Sequence, residues 1–216
     1  MSQPTKFGAG IALSGDFADL ADLHETIHYL TSETGPLSAH QAEFVLGLAY
    51  DVRKAYEGVR RIEPINTPRG SAEYYSVDIL WPVFLVQLGM LRTAAGYLPT
   101  SRSHQASLYR LEACAERALL EMDPSVGAMC MRWLSHCSPL PDGFLLEFVS
   151  QQARDFVFGA TTGKARFRRL PTILDDISSF SSKYREFERC MSEQAAQQNA
   201  RPQDLWDFSE WPEFRW

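Results

Sequence analysis

Apolar positions recur along most of this chain at a spacing of three and four, the period of a helix that buries one face. Leu20, Leu23, Ile27 and Leu30 form the first series, opened by Asp16 as a capping residue and stopped by Gly35-Pro36. The second starts at Ser38-Ala39-His40-Gln41, where serine and glutamine can cap each other's amides, and runs through Phe44, Val45, Leu48, Val52, Ala55 and Tyr56. From Ile79 to Leu91 apolar residues cover nearly the whole circumference, which predicts a central helix capped by Ser76 with Pro82 in its first turns. A fourth helix follows near Ser101 or Ser103 and buries Leu108, Leu111, Ala115, Ala118, Leu119 and Met122. Asp123-Pro124 opens a fifth to about His136, Asp142 a sixth to about Phe158, and Pro171 a long final helix that fades into the polar run 192–199.

Two stretches lack this period. From Phe7 to Leu13 the chain is Gly-rich and alternates weakly, which reads as a short strand or extended arm. From Arg61 to Ser76, Pro64, Pro68 and Gly70 supply turn residues without an apolar pattern, so the segment reads as a long interior loop. No repeat of fixed period is present. The expected fold is therefore all-α, an irregular bundle of about seven helices behind a short N-terminal strand or arm. The expected organisation is a single helical domain over residues 1–200 with an appended tail, 201–216.

Composition narrows the class. With 216 residues, 45% of them apolar, the chain can bury a substantial core. A net charge of −6 argues against a general nucleic-acid binder while leaving room for a local basic patch. The most apolar segment, Ile79 to Leu91, falls short of the roughly 20 residues a membrane span needs, so no membrane partner is expected. The N-terminus lacks a basic stretch followed by an apolar run, and the reading is a cytoplasmic protein. Cys114, Cys130, Cys137 and Cys190 form no C-x-x-C pair and are expected to be reduced, buried thiols.

One motif names a chemistry. His24-Glu25-Thr26-Ile27-His28 reads H-E-x-x-H, which sets two imidazoles one turn apart on a helix. These five residues resemble the signature of the zincin metallopeptidases. The resemblance implies a zinc ion on His24 and His28 with Glu25 as general base, and Glu43 on the next helix is the candidate third ligand. The chain departs from that family in two respects. Asp22 puts a charge just upstream of the motif, and only 23 residues precede His24, too few for the substrate-holding sheet of zincins. Because Leu20, Leu23, Ile27 and Leu30 already define the buried face, His24 and His28 are expected to flank it as bystanders, with no metal or other cofactor.

Other features point to partners. Lys164, Arg166, Arg168 and Arg169, interleaved with Phe167, can neutralise phosphates and stack on a base, so the 164–169 loop is a candidate nucleic-acid contact. The preceding glycines, Gly159 and Gly163, resemble a phosphate loop but have three residues between them where four are needed, and Ala165 follows the lysine. The tail carries Trp206, Phe208, Trp211, Phe214 and Trp216 among acidic residues, the composition of a docking segment for a protein partner or a second copy of the chain. The leading functional expectation is a non-enzymatic cytoplasmic interaction or accessory module. A zinc-dependent hydrolase using His24 and His28 is the alternative, and an acidic inhibitor or immunity-type protein a third.

Overall fold

The computed structural model describes residues 2–32, 35–67, 70–136, 144–158, 163–178, 180–200 and 214–216, the side chains of 66–71 excepted. Most of the chain is helical, but the expected all-α class is wrong, because a four-stranded antiparallel sheet flanks the helices. Its strands are β1 (Ser2–Pro4), β2 (Gly10–Gly15), β3 (Arg61–Thr67) and β4 (Gly70–Leu80), in the order β1-β2-β4-β3. The stretch read as an interior loop is the β3–β4 hairpin, in register from Arg61 opposite Ser76 to Thr67 opposite Gly70. Of β4, β2 pairs only with Tyr75–Leu80, so among the described residues the far end of the hairpin has β3 as its one neighbour. Arg61, Ile62, Glu63 and Pro64 are all exposed. A strand open to water on both faces needs no alternation of apolar residues, and this one shows none.

Ser76 is likewise a strand residue, not a helix cap. Its hydroxyl accepts from Ser14 Oγ at 2.8 Å and from the Arg61 guanidinium at 3.0 Å, partners that lie on neighbouring strands. β4 continues to Leu80 and turns directly into α3 (Trp81–Tyr97), with Pro82 in the first turn, where a missing amide proton is harmless.

The remaining helices are α1 (Phe17–Leu30), α2 (Ala39–Tyr56), α4 (Arg102–Met122), α5 (Pro124–Ser135), α6 (Leu145–Phe158), α7 (Lys164–Phe167), α8 (Leu170–Asp176) and α9 (Ser182–Gln198). Local caps start several of them where the sequence indicated. Asp16 accepts from the Asp19 amide, Ser38 and Gln41 form a capping box, and Asp123 accepts from the Ser125 and Val126 amides ahead of Pro124. The single long final helix is instead two, α8 and α9, and Ser181 caps the second.

α3 occupies the centre. Trp81, Phe84, Leu85, Val86, Leu88, Leu91 and Ala94 are fully buried, and α1, α2, α4, α5, α6, α8 and two strands touch it. The Gln87 side-chain amide donates to the Phe44 carbonyl at 2.9 Å and ties α3 to α2. Where α4 crosses α5, the backbones approach so closely that a Cβ on Gly127 would sit 2.8 Å from the Leu119 carbonyl.

The turn between β1 and β2 gathers distant parts of the chain. The Phe7 amide donates to the Trp216 carbonyl at 2.7 Å, and the Phe7 carbonyl accepts from the Gly163 amide at 2.8 Å. Gly8 makes this approach feasible: its φ is +70°, and a side chain there would meet the Gly163 carbonyl at 2.7 Å. Arg166, 3% exposed, clasps the junction by donating to the carbonyls of Phe7, Val157 and Arg215. Phe214 packs against the core.

Two expected outcomes follow. Gly127→Ala should lower the unfolding free energy by about 1–3 kcal/mol in a urea titration, since the added methyl forces α4 and α5 apart. Arg166→Met should cost about 3 kcal/mol, because three carbonyls lose their donor, and hydrogen exchange at the Phe7 and Gly163 amides should quicken. Arg166→Lys should not restore the loss, because one ammonium cannot reproduce the fork of a guanidinium.

Candidate functional site

The expected site residues are scattered. His24 and His28 do meet on α1, with Nε2 atoms 3.2 Å apart and ring centroids 4.5 Å apart. Glu43 does not join them. The end of α2 that faces the pair carries Tyr56, whose ring meets His24 edge-on at 5.8 Å, and Glu43 lies thirteen residues back along that helix, about 20 Å at 1.5 Å per residue. Among the described residues no group of three His, Cys, Asp or Glu is placed to hold a metal ion, so the three-ligand centre of a zinc hydrolase is not formed.

The basic segment is divided between surface and interior. Phe167 is fully buried with its ring edge-on to Trp81 at 6.1 Å, and Arg166 is consumed by the clasp, so neither is presented to a nucleic acid. Burial, and after it the neighbouring Arg169, pull the Arg166 guanidinium below its ordinary pKa. Arg169 donates to the Asp155 carbonyl, while Lys164 and Arg168 are exposed, with Arg168 Nε 3.7 Å from Asp123. The reason lies in α7 and α8, where Arg166, Phe167 and Leu170 form the inward side of a short helical run.

Of the tail aromatics, Trp206, Phe208 and Trp211 lie outside the described residues. Phe214 and Trp216 are held in cis: their rings are 4.9 Å apart, Phe214 rests on the core, and the Trp216 carbonyl is bound by Phe7. The expectation of buried thiols holds for Cys130, whose pKa burial pushes up to about 12, but Cys190 is exposed and Cys114 half-buried, and Cys137 lies outside the described residues.

One concave site among the described residues is one that sequence reasoning missed. A cleft of about 240 Å³ lies where β2 runs into α1, with α4 as its other wall. Its apolar surface comes from Leu13, Leu20, Leu23 and Leu111. Its polar rim comes from α4, where Ser107, Arg110, Cys114 and Arg117 follow one another at three- and four-residue steps and so share a face. Arg110 is paired with Asp19 across the mouth at 2.7 Å, whereas Arg117 has no carboxylate partner among the described residues and only reaches the Cys114 sulfur at 3.9 Å. Ser2 ties β1 to this wall by donating to the Cys114 carbonyl. The signal was present as the spacing of Arg110, Cys114 and Arg117, but a face of that composition on an amphipathic helix is indistinguishable from its ordinary polar margin until a second wall stands opposite.

A second depression, about 520 Å³ and more open, runs between α6 and α9. Phe148 and Phe187 pack there with centroids 5.1 Å apart, and Lys183, Asp155 and Glu186 line it. Its walls mix both signs of charge. No helix among the described residues is long and apolar enough to cross a membrane.

No curated protein and no solved structure matches the chain. Over residues 1–216 the sequence matches the family described as Domain of unknown function (DUF6904), and the chain belongs to that family.

Proposed function

We propose that this protein acts by binding, without catalysis, and that its ligand is a small amphipathic anion held in the cleft between α1 and α4. The observation that carries this reading is the pairing of leucine walls with an arginine, Arg117, that has no carboxylate partner among the described residues. A hydrocarbon body gains by leaving water against Leu13, Leu20, Leu23 and Leu111, and a carboxylate or phosphate head gains a charge-assisted hydrogen bond at the rim. Among the described lining residues the one carboxylate, Asp19, already pairs with Arg110, and none is a histidine, which favours binding over general-base chemistry. A cytoplasmic setting belongs to this reading, since it keeps Cys114 reduced at the cleft wall.

Association with another protein is the second reading. It is favoured by strongly exposed aromatic side chains, with Phe180 78% and Tyr97 70% exposed, and no longer by Phe214 and Trp216, which are engaged within the chain.

Octanoate is a suitable probe of the cleft. In methyl and amide NMR titrations it should shift the signals of Leu20, Leu23 and Leu111, whereas octanol at equal concentration should bind more weakly. Arg117→Met should weaken octanoate by about tenfold, the loss of one charge-assisted contact. Leu20→Trp should fill the space and abolish binding. Unchanged leucine signals at millimolar octanoate would remove the cleft from consideration.

A further inference from the structure

The two imidazoles of α1 are left unused by the cleft, and their geometry is specific. Leu20, Leu23 and Ile27 turn into the core, so His24 and His28 lie together on the flank of α1 that faces the end of α2, His24 half-buried and His28 exposed. Their Nε2 atoms converge on one another, and the side chains do not splay apart as two solvated imidazoles on a helix surface are free to do. Two imidazole nitrogens bound to one zinc-sized ion at about 2.0–2.1 Å stand about 2.9 Å apart for a right angle at the metal and about 3.4 Å for a tetrahedral one. The observed separation of 3.2 Å falls inside that range.

We propose that His24 and His28 form a two-histidine chelate for a borderline divalent transition-metal ion such as Zn²⁺ or Cu²⁺. Imidazole nitrogen suits these ions, and the four-residue spacing lets one ion bridge successive turns of α1. With two protein ligands and one of them exposed, the remaining positions on the ion are left to water or to a donor from outside the chain. This differs from a hydrolytic zinc centre, which takes three protein ligands. The same 3.2 Å approach can be spanned by a single hydrogen bond from one Nε2–H to the other nitrogen, and that alternative predicts no affinity for metal.

The pKa of His24 is lowered below its ordinary value by burial first, then by His28 and by Arg53 of α2, with Glu57 of α2 acting in the opposite sense. A neutral imidazole is the ligating species. Arg53 and Glu57 are themselves 3.6 Å apart, which limits the net repulsion of an incoming cation. The Tyr56 ring meets His24 edge-on at 5.8 Å.

Isothermal titration of the full chain with ZnCl₂ and, separately, CuCl₂ in a non-coordinating buffer tests the proposal. One ion per chain is expected to bind saturably. The affinity should fall by about tenfold or more in each of His24→Ala and His28→Ala, and remain in His104→Ala. His28→Ala alters an exposed side chain and should melt as the metal-free wild type does, which separates loss of a ligand from loss of fold. Cu²⁺ should broaden the amide signals around residues 24–28 in the NMR spectrum. Absence of binding, or binding that survives in the double variant His24→Ala/His28→Ala, overturns the proposal. Neither result bears on the octanoate titration of the cleft.

Discussion

A helix with no polar face has to be covered on every side, and α3 is such a helix. Trp81, Phe84, Leu85, Val86, Leu88 and Leu91 are fully buried, and each leucine or phenylalanine taken out of water contributes about 1.5–3 kcal/mol. No single neighbour can supply that cover. α1 and α2 lie against it together with α4, α5, α6 and α8, and the ends of β2 and β4 close its N-terminal end. The Trp81 amide donates to the Ala9 carbonyl, so the start of this helix is fixed by the sheet that delivers it. The positions of the outer helices, and hence of every surface they form, follow from the need to enclose α3.

The chain termini are secured by a different kind of contact. Around Phe7 the bonds are almost all to the backbone: the Trp216 carbonyl, the Gly163 amide and three carbonyls gathered by Arg166. A buried guanidinium costs solvation, and the clasp offsets this with several charge-assisted hydrogen bonds to carbonyl oxygens. Parts of two segments that resemble docking features in isolation, Arg166 and Phe167 of the basic run and the end of the aromatic tail, are drawn into the protein's own framework.

α1 carries chemistry on two flanks. Asp19, Leu20 and Leu23 look towards α4 and shape the cleft, while His24 and His28 look towards the end of α2. Both depend on the same anchoring of Ile27 and Leu30 in the core, yet they share no side chain. A helix fixed by its buried stripe can present independent groups on either side of that stripe, because residues three and four apart stay in line while their neighbours rotate away.

The helices were legible because their signals are local: Asp16, Ser38 and Asp123 cap amides two or three residues away, and the apolar period of α1, α2 and α4 lies within each helix. The β3–β4 hairpin was not, since its exposed strand β3 needs no apolar alternation and its polar residues find partners across the sheet, as Ser76 does with Ser14 and Arg61. The convergence of His24 on His28 could be anticipated from a four-residue spacing, whereas the fate of Glu43 depended on how far α2 is shifted along α1. By itself the sequence determined that most of the chain coils, where α1, α2, α4 and α5 begin and which stripe each of α1, α2 and α4 must bury. Only the tertiary structure decided that Arg166 serves Phe7 and that Arg110 meets Asp19, because these pairs lie 159 and 91 residues apart and no local period encodes a contact made by closing so long a loop.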